Sequence, residues 1–418
     1  MLRSRPQILT RVAWLLAMAL GAQVCTGHEI DYEIFGQARL ENRWYPENAA
    51  YPGQSDLASG IVLEPEFYFE SVDGWSFTLI PFLRHDSADP DRSHTDLREA
   101  YFLLLGEIGD GEWELRLGVD RVFWGVVESN HLVDIINQTD LIEHPDEEVE
   151  LGQLMAHATW SGNLGAAELF ILPHHRERTF PGRKGRLRSS LVVDDDHPSY
   201  ESSAKEWHMD FALRYSQNFG PFDIGVSFFD GTSRDPLLRP QISEQRDGEL
   251  VLVPHYEQIR QFGIDAQLTT DEWLFKLEAI HRADSQNLRY VEEDYAAFVI
   301  GAEYTFYSIL GTAADFGVLG EWCYDERGKD ATNIFDDDLL IGIRVAFNDI
   351  QNTEIFSSLL KDRDYSTSAF VIEFSRRISD QWSANLELFS LFNVEKKDTQ
   401  FDPIRRDSFL EFRLNYNF

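Results

Sequence analysis

Apolar and polar residues alternate one by one through much of this chain. In "AFVIGAEYTF" the residues Phe298, Ile300, Ala302, Tyr304 and Phe306 alternate with Val299, Gly301, Glu303 and Thr305. "WHMDFALRY" repeats the pattern with Trp207, Met209, Phe211, Leu213 and Tyr215, and "FGIDAQL" with Phe262, Ile264, Ala266 and Leu268. Period two belongs to the β-strand, whose side chains point to opposite faces in turn. One face of each segment is uniformly apolar, while the other mixes charge, amide and glycine. That pattern predicts strands with one greasy and one wet side.

Turn chemistry repeats as well. Asp73-Gly74-Trp75, Gly111-Glu112-Trp113, Asp271-Glu272-Trp273 and Asp380-Gln381-Trp382 are short polar turns, each followed at once by tryptophan. Pro221-Phe222 and Asp315-Phe316 place phenylalanine there. Rings of this kind favour a membrane–water boundary, so these positions predict an aromatic girdle along one rim. Short turns near 71–74, 109–112, 161–164, 218–221, 269–272, 308–314, 348–352 and 378–381 alternate with longer polar connections near 45–57, 87–95, 123–151, 174–205, 232–255, 284–293, 326–336 and 394–404, and a shorter one near 362–365. This divides the chain into about eighteen strand-like segments, and an even number returns both ends to one side. The fold class expected is all-β: a transmembrane, antiparallel, up-and-down β-barrel with short periplasmic turns and long external loops.

The final stretch, "SFLEFRLNYNF", places Leu410, Phe412, Leu414, Tyr416 and Phe418 on one face and Glu411, Arg413, Asn415 and Asn417 on the other. Backbone groups in hydrocarbon must pair within the protein, so a sheet there must close on itself. This segment is expected to pair with the first strand, Tyr32–Leu40. It resembles the last strand of Gram-negative outer-membrane β-barrels, on the residues Phe412, Leu414, Tyr416 and Phe418. The resemblance implies an aromatic end residue, Phe418, read by the barrel-insertion machinery, and a place in the outer membrane among lipid and lipopolysaccharide. Size and strand count are similar to the porins, which implies a channel for small hydrophilic solutes. Pro65 and Pro81 lie inside predicted strands and require bulges, because proline cannot donate to a ladder. "LREAYFLLLGEIG" carries too many consecutive apolar residues for its faces to be assigned.

Ahead of the barrel, Arg3, Arg5 and Arg11 precede an apolar run from Val12 to Ala22. This reads as a signal peptide over residues 1–27, leaving 28–418 as one barrel domain. Such a mature chain keeps one cysteine, Cys323, and no internal disulfide. Its net charge follows from 34 basic and 72 acidic residues, 34 − 72 = −38, which excludes a nucleic-acid partner.

About eighteen strands leave a lumen wide enough for water. Its candidate lining acids are Glu33, Glu41, Glu64, Glu66, Glu114, Asp210, Asp265, Glu278, Glu303, Glu321, Glu373 and Glu411. The candidate bases are Arg39, Arg116, Arg214, Lys276, Arg344 and Arg413. Acids outnumber bases, so small cations or neutral solutes are the expected permeants; cross-strand pairing that merely holds the wall is the competing reading.

The 123–151 connection has a helix-like stretch around His131–Ile142 and carries the acids Glu128, Asp134, Asp140, Glu143 and Asp146–Glu148, the first four as constriction candidates. The porin resemblance implies an in-folded third loop, against a plain external loop. "HHRERTFPGRKGRLRSS" gathers Arg176, Arg178, Arg183, Lys184, Arg186 and Arg188 as anion-contact candidates, either for lipopolysaccharide or an acidic polysaccharide, or neutralised by Asp194–Asp196. His174, His175 and His197 lack a metal-ligand spacing, so no metal or cofactor is expected. The chain has no G-x-S-x-G, H-E-x-x-H, Walker or CxxC motif, so an enzyme is not expected. A conduit for one acidic polysaccharide, a secreted soluble β protein and a barrel hydrolase stay open as alternatives, as does homo-oligomerisation.

Overall fold

A computed structural model describes residues 30–246 and 248–418; the expected signal peptide lies outside them. Eighteen strands form one antiparallel sheet. They are β1 Ile30–Trp44, β2 Leu57–Ser71, β3 Trp75–Asp86, β4 Thr95–Ile108, β5 Gly111–Asp120 and β6 Gln153–Gly162. The series continues with β7 Gly165–Leu172, β8 Asp210–Phe219, β9 Phe222–Thr232, β10 Gln258–Thr269, β11 Trp273–Gln286 and β12 Glu292–Phe306. It ends with β13 Asp315–Asp325, β14 Asp337–Ala346, β15 Glu354–Asp362, β16 Ser368–Arg377, β17 Trp382–Phe392 and β18 Phe409–Asn417.

Each strand pairs with the next, and β18 pairs with β1 from Gln37↔Asn417 to Trp44↔Leu410. Gly36 and Phe418 then exchange backbone hydrogen bonds of 3.0 and 3.1 Å. The sheet has no free margin there, as a bilayer demands. No helix among the described residues is long and apolar enough to cross a membrane, so any crossing falls to the strands.

The alternation resolves into two faces. Phe211, Leu213, Phe262, Ile300, Leu410 and Phe412 are exposed on the outer wall, whereas Asp210, Asp265, Glu321 and Glu411 are buried inside. Three of the turn aromatics pack on rings of neighbouring strands: Trp273 on Tyr304 at 4.8 Å, Trp382 on Tyr416 at 4.9 Å and Trp75 on Phe102 at 6.0 Å.

Both prolines are accommodated locally. Pro65 faces Gly36, where a Cβ would lie 2.7 Å from the proline Cα, so only glycine fits. At Pro81 the register slips, with Ile80 opposite Glu99 and Pro81 opposite Leu97. Arg98 is therefore the extra residue of a bulge, and bulges re-aim side chains.

Candidate constriction site

The connection from β5 to β6, residues 121–152, contains no helix; the helix-like spacing over His131–Ile142 forms turns and a small hairpin, Gln138–Thr139 with Glu150–Leu151. The reason is visible in its burial. Trp124, Val133, Ile135 and Ile136 do not pack on one helix stripe but insert separately into the inner wall. There they meet Met155, Phe170, Ala212, Phe229, Ile259, Ile280 and Ala297 in one dry cluster. The inner face of β6–β12 is thus not wet throughout; its upper part is apolar and covered by this loop.

Two carboxylates of the wall hold the loop on one side. Glu278 on β11 accepts the N–H of Val126 at 2.7 Å and of Val133 at 3.2 Å. Glu321 on β13 accepts the N–H of Glu128 and of Ser129, both at 2.9 Å, and the Ser129 hydroxyl at 2.6 Å. Glu128 in turn pairs with Lys276 at 2.7 Å and Arg344 at 2.9 Å.

An arginine cluster receives the other end. The bulged Arg98, only 1% exposed, stacks on Phe82 and donates to Asp140 at 2.6 Å. Arg84 reaches Glu143 at 2.7 Å, and Arg92 donates to the carbonyls of Ile142 and Glu143. His144 bridges Asp146 at 2.7 Å and Glu387 at 3.0 Å. Burial opposes the imidazolium, but these two carboxylates outweigh it and push His144 up to about 9. Burial likewise opposes ionisation of Asp140, yet His94 and Arg98 hold its carboxyl below the usual range.

The closed eighteen-strand sheet carries its third long loop inside, fastened to opposite walls. The fold is porin-like. No described protein family matches the chain, and no curated protein matches it. Among solved structures it is similar to an engineered variant of Rhodopseudomonas blastica porin at 12% identity and a TM-score of 0.44, over 93% of this chain and 100% of that one. A triple mutant of the same porin gives 12% and 0.43 with the same coverage. A structure described as "Asymmetric conductivity of engineered proteins" gives 11% and 0.43, again over 93% and 100%. The porin-like character lies in the chain's own strand pairing and loop placement.

The residues singled out from sequence fall into distinct settings. Asp210 joins His208, Thr232 and Arg234, and Arg214 makes a two-pronged pair with Asp265 at 2.7 and 2.9 Å. Glu114 pairs with Arg116 at 2.5 Å. Glu41 meets Arg39 and Arg84, and Glu411 meets Arg43. Glu303 is buried on the inner face of β12, Glu64 and Glu66 are half-buried, and Glu33 is exposed. Asp134 is half-buried, its carboxyl raised by desolvation and by Glu150, and it accepts the Trp124 N–H at 3.3 Å within the loop.

Exposed beside the loop stand Glu148, Asp146 and Glu373, with the half-buried Arg344, Arg413 and Arg39 paired to Glu128, Glu387 and Glu41. Burial, Asp146 and Glu373 together push the Glu148 carboxyl up to about 6. Glu148 is legible in the sequence only as part of the acidic run Asp146–Glu148, not as a constriction candidate, and Arg43, Arg84, Arg92, Arg98, Glu387 and His144 were not singled out. Arg43 shares the parity of Arg39, which is the signal that could have found it; Arg98 depends on the bulge.

The basic run is engaged internally, and four of its arginines pair with acids outside Asp194–Asp196. Arg176 pairs with Asp96 at 2.8 Å, Arg178 with Asp235 at 2.8 Å, Arg183 with Glu249, and Arg186 with Asp407 at 2.7 Å. Arg188 stacks on Tyr51, and Asp194 instead meets Arg246. Lys184 is exposed. These cations clamp loops together. His175 is buried against Tyr200 and Tyr256, away from His197, which bonds to Asp194.

Proposed function

We propose that this protein is a porin-like channel of a Gram-negative outer membrane, passing small hydrophilic solutes by diffusion and favouring cations and neutral solutes over anions. The observation that carries the reading is the in-folded loop. It fills one side of the lumen with an apolar cluster and leaves, along the remaining passage, a rim of Glu148, Asp146 and Glu373 facing Arg344, Arg413 and Arg39. A narrow passage with low-dielectric walls concentrates the field of such charges. Arg344, Arg413 and Arg39 are themselves paired with Glu128, Glu387 and Glu41, so the acids of the rim carry the net sign. Insertion would depend on Phe418, whose ring stacks on Tyr416 at the closing seam.

Planar-bilayer recordings in a KCl gradient test this. Stepwise currents with a reversal potential of the cation-selective sign are expected. Folded protein that gives no current, or anion selectivity, would overturn it.

A further inference from the structure

One imidazole and two carboxylates meet where the in-folded loop reaches the arginine cluster. His94 comes from the connection 87–94 between β3 and β4, while Asp140 and Glu143 come from the loop itself. Their ligand atoms lie within 4.8 Å of one another, the one such group among the described residues. A turn sets the two carboxylates side by side, since the Glu143 N–H donates to the Asp140 carbonyl at 3.0 Å.

Two of the three ligand atoms are unsatisfied. Glu143 is 4% exposed, and its Oε1 is buried without a hydrogen-bond partner among the described residues. The Nε2 of His94 is buried and equally without one. It lies 3.8 Å from Glu143 Oε1 and 3.8 Å from Asp140 Oδ2, too far for a hydrogen bond to either.

The surroundings aim these atoms at a common point. His94 Nδ1 lies 3.1 Å from the Arg92 carbonyl, which only accepts, so Nδ1 carries the proton. In the neutral ring that leaves a lone pair on Nε2, directed at the carboxylates. The ring packs on Phe82 at 5.3 Å. Asp140 Oδ1 accepts the Thr179 hydroxyl at 2.7 Å, its Oδ2 accepts Arg98 at 2.6 Å, and Glu143 Oε2 accepts Arg84 at 2.7 Å. Outer hydrogen bonds of this kind, a histidine N–H on a carbonyl above all, orient the ligands of metal sites.

Ligands at about 2.0–2.2 Å from a tetrahedral zinc stand about 3.3–3.6 Å apart, so closing the observed gaps takes a few tenths of an ångström. One nitrogen with two oxygens suits zinc and its neighbours; calcium and magnesium take oxygen alone. We infer that His94, Asp140 and Glu143 bind a zinc-type divalent metal ion, which fastens the connection 87–94 to the in-folded loop. His94 is half-buried, which leaves the fourth position to water. Arg84 is shared with Glu41, and Arg98 with Asp96. These arginines keep both carboxylates ionised, and their charge caps the affinity, so the ion exchanges with solution.

The test is calorimetric titration of zinc chloride into the full chain, folded in detergent and stripped with chelator. Wild type should show one saturable site. His94→Gln should weaken it about tenfold or more, while His197→Gln, on another connection, leaves it unchanged. Cobalt chloride should give wild type a visible d–d absorption that His94→Gln loses. No saturable binding, equal weakening by both substitutions, or a cobalt spectrum indifferent to His94→Gln would overturn the site. Should His94→Gln fail to fold, the wild-type melting temperature decides: a rise with zinc over chelator supports the site, and identical melting in both overturns it.

Discussion

At the scale of single residues, Glu148 and Arg98 show how the wall and the loop divide their tasks. Glu148 is exposed beside the loop, on the rim proposed to line the passage, and partial burial with its acidic neighbours raises its carboxyl to about 6. Its charge is therefore present above that pH and lost below it. Cation selectivity should fall as pH drops through about 6, and Glu148→Gln should give the low-pH selectivity at every pH; reversal potentials between pH 5 and 8 read this directly. Arg98 does the opposite work, neutralising Asp140 where water is excluded. Removing one partner of such a buried pair costs about 3–5 kcal/mol, so Arg98→Ala should destabilise the barrel on that scale in denaturant unfolding in lipid vesicles. A loss of only about 0.2–1 kcal/mol, as for a surface pair, would contradict the role. Arg98 could not be read from the sequence. It sits in a run whose faces alternation did not assign, and its inward aim comes from the register slip at Pro81.

At the scale of elements, the in-folded loop shows where periodicity fails. Apolar residues over 131–142 have helix-like spacing, yet each serves a different part of the wall. A pattern generated by several partners has no period of its own. Which carboxylates hold the loop was equally hidden, since Glu278 and Glu321 resemble every other inward acid until the loop's N–H groups are placed on them. Each hydrogen bond to a charged acceptor is worth about 1.5–3 kcal/mol, so the double substitution E278Q/E321Q should loosen the loop. Larger and noisier single-channel currents are expected, and unchanged currents would count against the fastening. At the far end, His144 is raised above its ordinary value, so its contribution is complete below about 6.5 and is lost as pH climbs through about 9. Current fluctuations should grow above pH 9 and not between pH 6 and 8.

At the scale of the whole molecule, the architecture was legible because a barrel leaves repeated, local marks. The period-two faces, the turn aromatics, the alternation of short and long connections and the closing strand each follow from one demand, that hydrocarbon be met by paired backbone and apolar side chains. The expected turns coincide with the observed ones, while β1 runs beyond Tyr32–Leu40 to Ile30–Trp44. The interior was less legible because charge on the wet face was read as lumen lining, although much of it pairs off beneath the loop.

The most direct test of that interior is a cysteine placed at Glu148. Cys323 is fully buried, so it should not react in the folded barrel. Current through a Glu148→Cys channel should change at once when a charged thiol reagent is added, falling in cation selectivity with a positive reagent and recovering it with a negative one. A current indifferent to both reagents would mean that ions do not pass beside this loop.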